Sequence, residues 1–165
     1  MKNKLILIVA LSSIFLTTSC QFSKGFKQDL KTGLKVSYNG FAVEEAYLTL
    51  NEEETKKLTS NKIPLGSKVN IWASGIKNFK EENGRVFPGC EMILTNKNGE
   101  KLLNIPDLFS DKNDGISKDE ATALNATLTT GKPMIAGDIY NLKTRFFDKK
   151  STENEIVAEV DLAMQ

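Results

Sequence analysis

CEMILTNKNGEKLL, residues 90–103, carries the strongest local fold signal in the chain. Cys90, Met92 and Leu94 alternate with Glu91, Ile93 and Thr95, and Asn98-Gly99 follows before a second β-prone run. Asn-Gly is the pair best suited to the positive backbone angles of a tight hairpin turn. The segment therefore predicts two antiparallel strands joined at Asn98-Gly99, with the Cys90 thiol on the buried face.

The period of two continues in both directions. LKVSY places Leu34, Val36 and Tyr38 on one face, AYLTL sets Leu48 and Leu50 against Tyr47 and Thr49, and GSKVNIWAS groups Val69, Ile71 and Ala73 opposite Lys68, Asn70 and Trp72. Further on, IYNLKTRFF alternates from Tyr140 to Phe146, and IVAEVDLAM puts Ile156, Ala158, Val160, Leu162 and Met164 together. This alternation is the pattern of strands with one face on a core and one in water. DKKSTENE, between the last two runs, is long enough to turn the chain back, so those strands are expected to pair antiparallel. One stretch departs from the pattern. In GISKDEATALNATLTTG, Ser117 with Glu120 three residues later makes a capping box, which predicts a short helix over 117–124 and then a strand over 125–130.

Seven or eight short strands separated by polar, glycine-containing turns predict a mainly β domain, a single antiparallel sandwich or a barrel. Strand count and alternation leave that choice open. AGDIYNLKTRFFDKK, residues 136–150, resembles the penultimate strand of immunoglobulin-like and fibronectin-like domains: Gly137, then Tyr140, then an alternating strand ending at Asp148. The resemblance implies a β-sandwich in which Tyr140 is a corner residue whose hydroxyl bonds back to nearby backbone.

At the amino end, Lys2 and Lys4 precede an apolar run from Leu5 to Leu11 that resumes at Ile14, Phe15 and Leu16. The run is short for a hydrocarbon layer of about 30 Å and has the size of a signal peptide's apolar region. A buried amino-terminal helix is the alternative, but neither a cap nor an amphipathic face marks one. Thr17, Thr18 and Ser19 leading into Cys20 resemble the lipobox of bacterial lipoproteins, in the relaxed form ending Ser-Cys that is similar to those of Bacteroidetes, although Leu16 stands one step earlier than the usual leucine. The resemblance implies cleavage after Ser19 and acylation of Cys20, with Cys90 left as a lone thiol; a Cys20–Cys90 disulfide is the competing use of the two cysteines. Residues 1–19 are then a leader, 20–32 a lipidated tether and 33–165 the sandwich domain. Phe22, Phe26 and Leu30, at helical spacing within the tether, also fit a short helix. Gln21 rather than Asp after the cysteine implies, by the same resemblance, outer-membrane delivery to the periplasm-facing leaflet, with surface exposure open.

The chemical inventory is thin. With 22 basic and 21 acidic side chains the chain is nearly neutral, and losing Lys2 and Lys4 with the leader keeps it so; no basic stripe suggests nucleic acid. No histidine is present, which removes Ser-His-Asp and Cys-His nucleophilic arrangements and imidazole-based zinc sites. Glu52 to Glu54 and Glu81 with Glu82 lie in charge-rich loops that read as solvated surface. No phosphate-binding glycine loop occurs, and no cofactor is called for. An enzyme is not expected.

SDKNDGISKDE, residues 110–120, groups Asp111, Asn113, Asp114 and Gly115, but no register places the glycine sixth and a glutamate twelfth as a calcium loop of the EF-hand kind requires. Asp and Asn also favour turns unaided. Trp72, on the face opposite Val69 and Ile71, is either a platform for a ligand or core reached through a bulge. NFKEENGRVFPG adds Phe79, Arg85 and Phe87, a composition suited to protein contact or to pinning the loop on its own domain. Trp72, Phe79, Arg85 and Phe87 are thus the candidate interface. The expected function is a lipid-anchored, non-enzymatic binding or assembly module whose partners are the membrane, through the lipid, and another envelope protein. The alternatives are a carrier of an apolar or sugar ligand and a calcium-stabilised adhesin-like domain.

Overall fold

A computed structural model describes residues 23–51 and 56–165. The leader expected over residues 1–19, Cys20 and Glu52 to Glu54 lie outside the described residues.

The chain is mainly β, and the described residues form ten strands: β1 (Lys24–Gln28), β2 (Lys35–Asn39), β3 (Glu45–Leu50), β4 (Lys62–Ile63), β5 (Lys68–Ser74), β6 (Pro88–Asn96), β7 (Lys101–Ile105), β8 (Ala123–Thr129), β9 (Ile139–Asp148) and β10 (Glu155–Met164). They form two sheets. The larger runs β1-β2-β10-β9-β6-β7, with β4 also on β10, and the smaller runs β3-β5-β8. All pairings are antiparallel except the two-residue β4, which runs parallel to the end of β10. The β9–β10 pairing expected across the 148–155 turn is present, with Phe146 opposite Ile156 and Leu142 opposite Val160.

Inward-facing residues of the two sheets make one core. Ile156, Ala158, Val160, Leu162 and Met164 of β10 are all buried, as are Val69, Ile71 and Ala73 of β5 and Cys90, Met92 and Leu94 of β6. Each set is one side of an alternating strand, so burying it leaves the backbone paired and turns the intervening residues to the outer face. The outer face of the larger sheet is finished differently. The Phe147 ring covers Gly89, where a Cβ would come within 2.3 Å of it, and Arg145 lies 4.4 Å from the ring centroid while pairing with Glu91 and Glu155.

Three local expectations need correction. The hairpin at 96–100 exists, but its loop is one residue longer than the two-residue turn: Asn96 and Glu100 close it, the Gly99 amide donates to the Asn96 carbonyl, and only Gly99 (φ 80) takes the left-handed conformation. A shift in the β6–β7 register at Leu94/Thr95 accompanies it. The helix expected over 117–124 is a single 3-10 turn, Glu120–Thr122, and β8 starts directly at Ala123. Its capping box nevertheless forms, since the Ser117 amide donates to Glu120 Oε2 at 2.9 Å and the Glu120 amide donates to Ser117 Oγ at 3.2 Å. What ends the helix is the alternation of Leu124, Ala126 and Leu128, which buries one face only if the backbone is extended. The domain begins before residue 33, inside the stretch expected as tether, because Lys24–Gln28 pair with β2 as an edge strand and the Asp29–Leu34 turn is closed by hydrogen bonds. That strand defines the larger sheet's margin and brings the domain to within four residues of Cys20.

Candidate binding face on the three-stranded sheet

The residues singled out in sequence lie in separate settings. Trp72 is on the outer face of β5, directly across from Tyr47 on β3, and the two rings lie near-parallel, 13° apart with centroids 6.2 Å apart. No bulge turns Trp72 inward. It is half-buried, and its indole N–H donates to Thr49 Oγ1 at 3.1 Å. A ladder of polar side chains continues across the sheet: Asn70 Nδ2 donates to Thr49 Oγ1, and Thr127 Oγ1 donates to Asn70 Oδ1 at 2.7 Å. Lys57 stands over the Tyr47 ring at 4.7 Å and pairs with Glu45. A large aromatic whose ring is stacked and whose N–H is held by a neighbour, as in Trp72, meets a partner with little entropic cost, the property that makes such residues anchors of interfaces.

The loop residues are tied to the domain instead. Phe79 packs on the fully buried Phe41 with ring centroids 4.5 Å apart. Phe87 lies against Gly115 and under Lys150 Nζ, 4.5 Å from the ring centroid. Arg85 donates from Nε to the Asp114 carbonyl at 2.8 Å and from Nη2 to the Gly115 carbonyl at 2.7 Å. Its guanidinium therefore holds backbone oxygens of the loop weighed as a calcium site, and among the described residues no group of three acidic, cysteine or histidine side chains converges on a metal position. Phe79, Arg85 and Phe87 thus pin their loop, and Trp72 is left as the exposed-face member of the four.

The buried Cys90 and the half-buried Asp107 are structural. Burial, with Asp107 and Glu91 adding negative charge nearby, pushes the Cys90 thiol up to about 12, so it stays protonated and unreactive. Asp107 accepts the amides of Cys90 and Phe109 and the Lys149 ammonium at 2.7 Å. Burial opposes its charge, but these three donors together hold the carboxyl below its ordinary value. The Tyr140 hydroxyl accepts the Ile135 amide at 3.0 Å, a bond back to nearby upstream backbone of the kind expected at this position.

Sequence inspection missed a second surface. An apolar groove of about 240 Å³ runs between β7 and β8, lined by Leu102 and Leu103 on one side and Leu128 and Met134 on the other, with Met92 and Leu94 beneath. It is smaller than the roughly 300 Å³ at which pockets for drug-sized ligands begin. No signal for it exists in local sequence, because it follows from how many strands each sheet has. No described helix is long and apolar enough to cross a membrane. The chain matches no protein-family model and no curated protein.

Proposed function

We propose that this chain is a lipid-anchored cell-envelope protein acting as a non-enzymatic binding module, presenting the outer face of its three-stranded sheet to another envelope protein. The observation that carries the reading is the Tyr47–Trp72 ring pair, its indole held by Thr49, on a face that otherwise bears polar side chains. An aromatic pair half-exposed on such a face is the composition of an interface anchor rather than of a solvated surface.

Cys20, by its resemblance to a lipobox cysteine, supplies the anchor, and β1 supports it. Four residues of extended chain span at most about 14 Å, so an acyl group on Cys20 would hold the β1 edge close to the bilayer, with outward-facing Phe26 and Lys24 beside it. Delivery to the outer membrane, facing the periplasm, follows the same resemblance. The order of β9 between β6 and β10, with Tyr140 bonded upstream, supports an immunoglobulin-like arrangement of the sandwich.

The test is affinity capture from detergent-solubilised envelopes with the unaltered protein and with the double variant Tyr47→Ala, Trp72→Ala as bait. A partner retained by the first and lost from the second, with the variant's circular dichroism and melting unchanged in form, is the expected result. Equal recovery on both baits would overturn the assignment of the face.

A further inference from the structure

We propose that two copies of this chain associate through the outer edge of β8, pairing antiparallel across a twofold axis at Ala126 and joining their three-stranded sheets into one of six.

β8 is the last strand of the smaller sheet, and among the described residues no strand or backbone hydrogen bond engages its outer edge. Which groups stand on that edge follows from one bond. The Thr130 amide donates to the Ser67 carbonyl on the β5 side, so by alternation Leu128, Ala126 and Leu124 also direct their amides to β5. Asn125, Thr127 and Thr129 then direct amides and carbonyls outward.

The other edges are guarded. β1 carries Lys24 and Lys27. β3 is met by the Leu58 amide, which donates to the Leu48 carbonyl. β7 has a register shift, begins at Lys101 and is followed by Pro106. Charges, prolines and irregular pairing are how sheet edges avoid one another. β8, ALNATLT, has none of them over seven residues.

Its sequence is also complementary to itself. With Ala126 on the axis, all seven residues pair: Leu124 meets Leu128 of the second copy on the inner face, and Asn125 meets Thr127 on the outer. Amide faces hydroxyl, leucine faces leucine, and no like charges oppose. Asn125 and Thr127 are the residues with outward amides, so each such pair exchanges both backbone hydrogen bonds, as antiparallel pairing requires. The larger sheet supplies the rest. Leu102 and Leu103 of its terminal strand β7 lie half-buried along the groove that borders β8. A strand added to β8 would lie opposite them and place its own leucines there. Such contact is self-matching and closed, the commonest symmetry of protein oligomers. It would also put two Tyr47–Trp72 pairs on one continuous face, although it does not depend on that face or on the anchor.

Two double variants with the same positions altered read the register, using full-length protein in detergent micelles and sedimentation velocity. Asn125→Lys with Thr127→Lys sets lysine against lysine across the axis, while Asn125→Lys with Thr127→Asp sets lysine against aspartate. Both alter exposed-face side chains and both lose the Thr127–Asn70 hydrogen bond, so stability changes cancel in the comparison. The expected result is a dimer for the unaltered chain, a monomer for the first variant and a dimer for the second, with the difference narrowing at high salt. A monomeric unaltered chain, or the same state for both variants, would overturn the proposal.

Discussion

The Ile135 backbone amide donates to the Tyr140 hydroxyl at 3.0 Å, closing the five-residue passage into β9 on itself. The tyrosine ring is buried in the core while its oxygen serves a loop amide that no other described group accepts. Tyr140→Phe keeps the ring and strands the amide. It should lower unfolding stability by about 1–2 kcal/mol, measured by urea denaturation with an unchanged m-value. A change within error would mean that the loop amide is satisfied by water.

Thr144 is the opposite case. It is fully buried on the inner face of β9, and its Oγ1 has no hydrogen-bond partner among the described residues. Valine has nearly the same shape without the hydroxyl, and removing an unpaired buried polar group relieves its desolvation cost. Thr144→Val should raise stability by on the order of 1 kcal/mol, read as a higher denaturation midpoint.

Arg85 sets a permanent positive charge against the Asp114 and Gly115 carbonyls of the 111–116 turn. Calcium should therefore leave the melting temperature unchanged, as should a chelator. Arg85→Ala should cost about 1 kcal/mol, since the bonds are charge-assisted but the side chain is exposed, and should speed amide exchange at Gly115 and Ile116. A calcium-dependent rise in melting temperature for the unaltered chain would contradict this account of the loop.

Asp107 sets a pH dependence. Its carboxyl is held below its ordinary value of 3.8 in the folded chain, so the unfolded chain binds the proton more readily. The stabilisation is then complete above the unfolded value and is lost as pH falls through the lower folded one. Stability followed as pH falls below the unfolded value should drop more steeply for the unaltered chain than for Asp107→Asn. The variant starts lower at neutral pH, because Lys149 loses its ion-pair partner.

Much of the sandwich was legible because its strands have one wet and one dry face. The Ile156-to-Met164 and Val69-to-Ala73 sets specify both strand and facing at once. The edge strand β1 was illegible for the complementary reason. Its outer face leaves Phe26 63% exposed, its ends are lysine and glutamine, and no apolar alternation marks a strand that buries so little. The helix reading failed where local and long-range signals disagreed: the capping box was real, but four residues beyond Glu120 the burial of Leu124 in the core outweighed helix propensity. The period of two sets Trp72 opposite Val69 and Ile71, as the structure has it, but the alternative of a bulge turning it into the core is not met, and its pairing with Tyr47 needed the β3–β5 register, which no local pattern encodes. Phe79, Phe87 and Arg85 illustrate a further limit, since aromatic and basic residues in a long loop suit a partner and the domain itself equally well.

The lipid on Cys20 underlies the proposed role, and intact mass spectrometry of the protein extracted from membranes tests it directly. The account predicts a chain beginning at Cys20 that carries the added mass of a diacylglyceryl group with acyl chains. A chain retaining its first nineteen residues, or one beginning elsewhere with no added lipid mass, would contradict it.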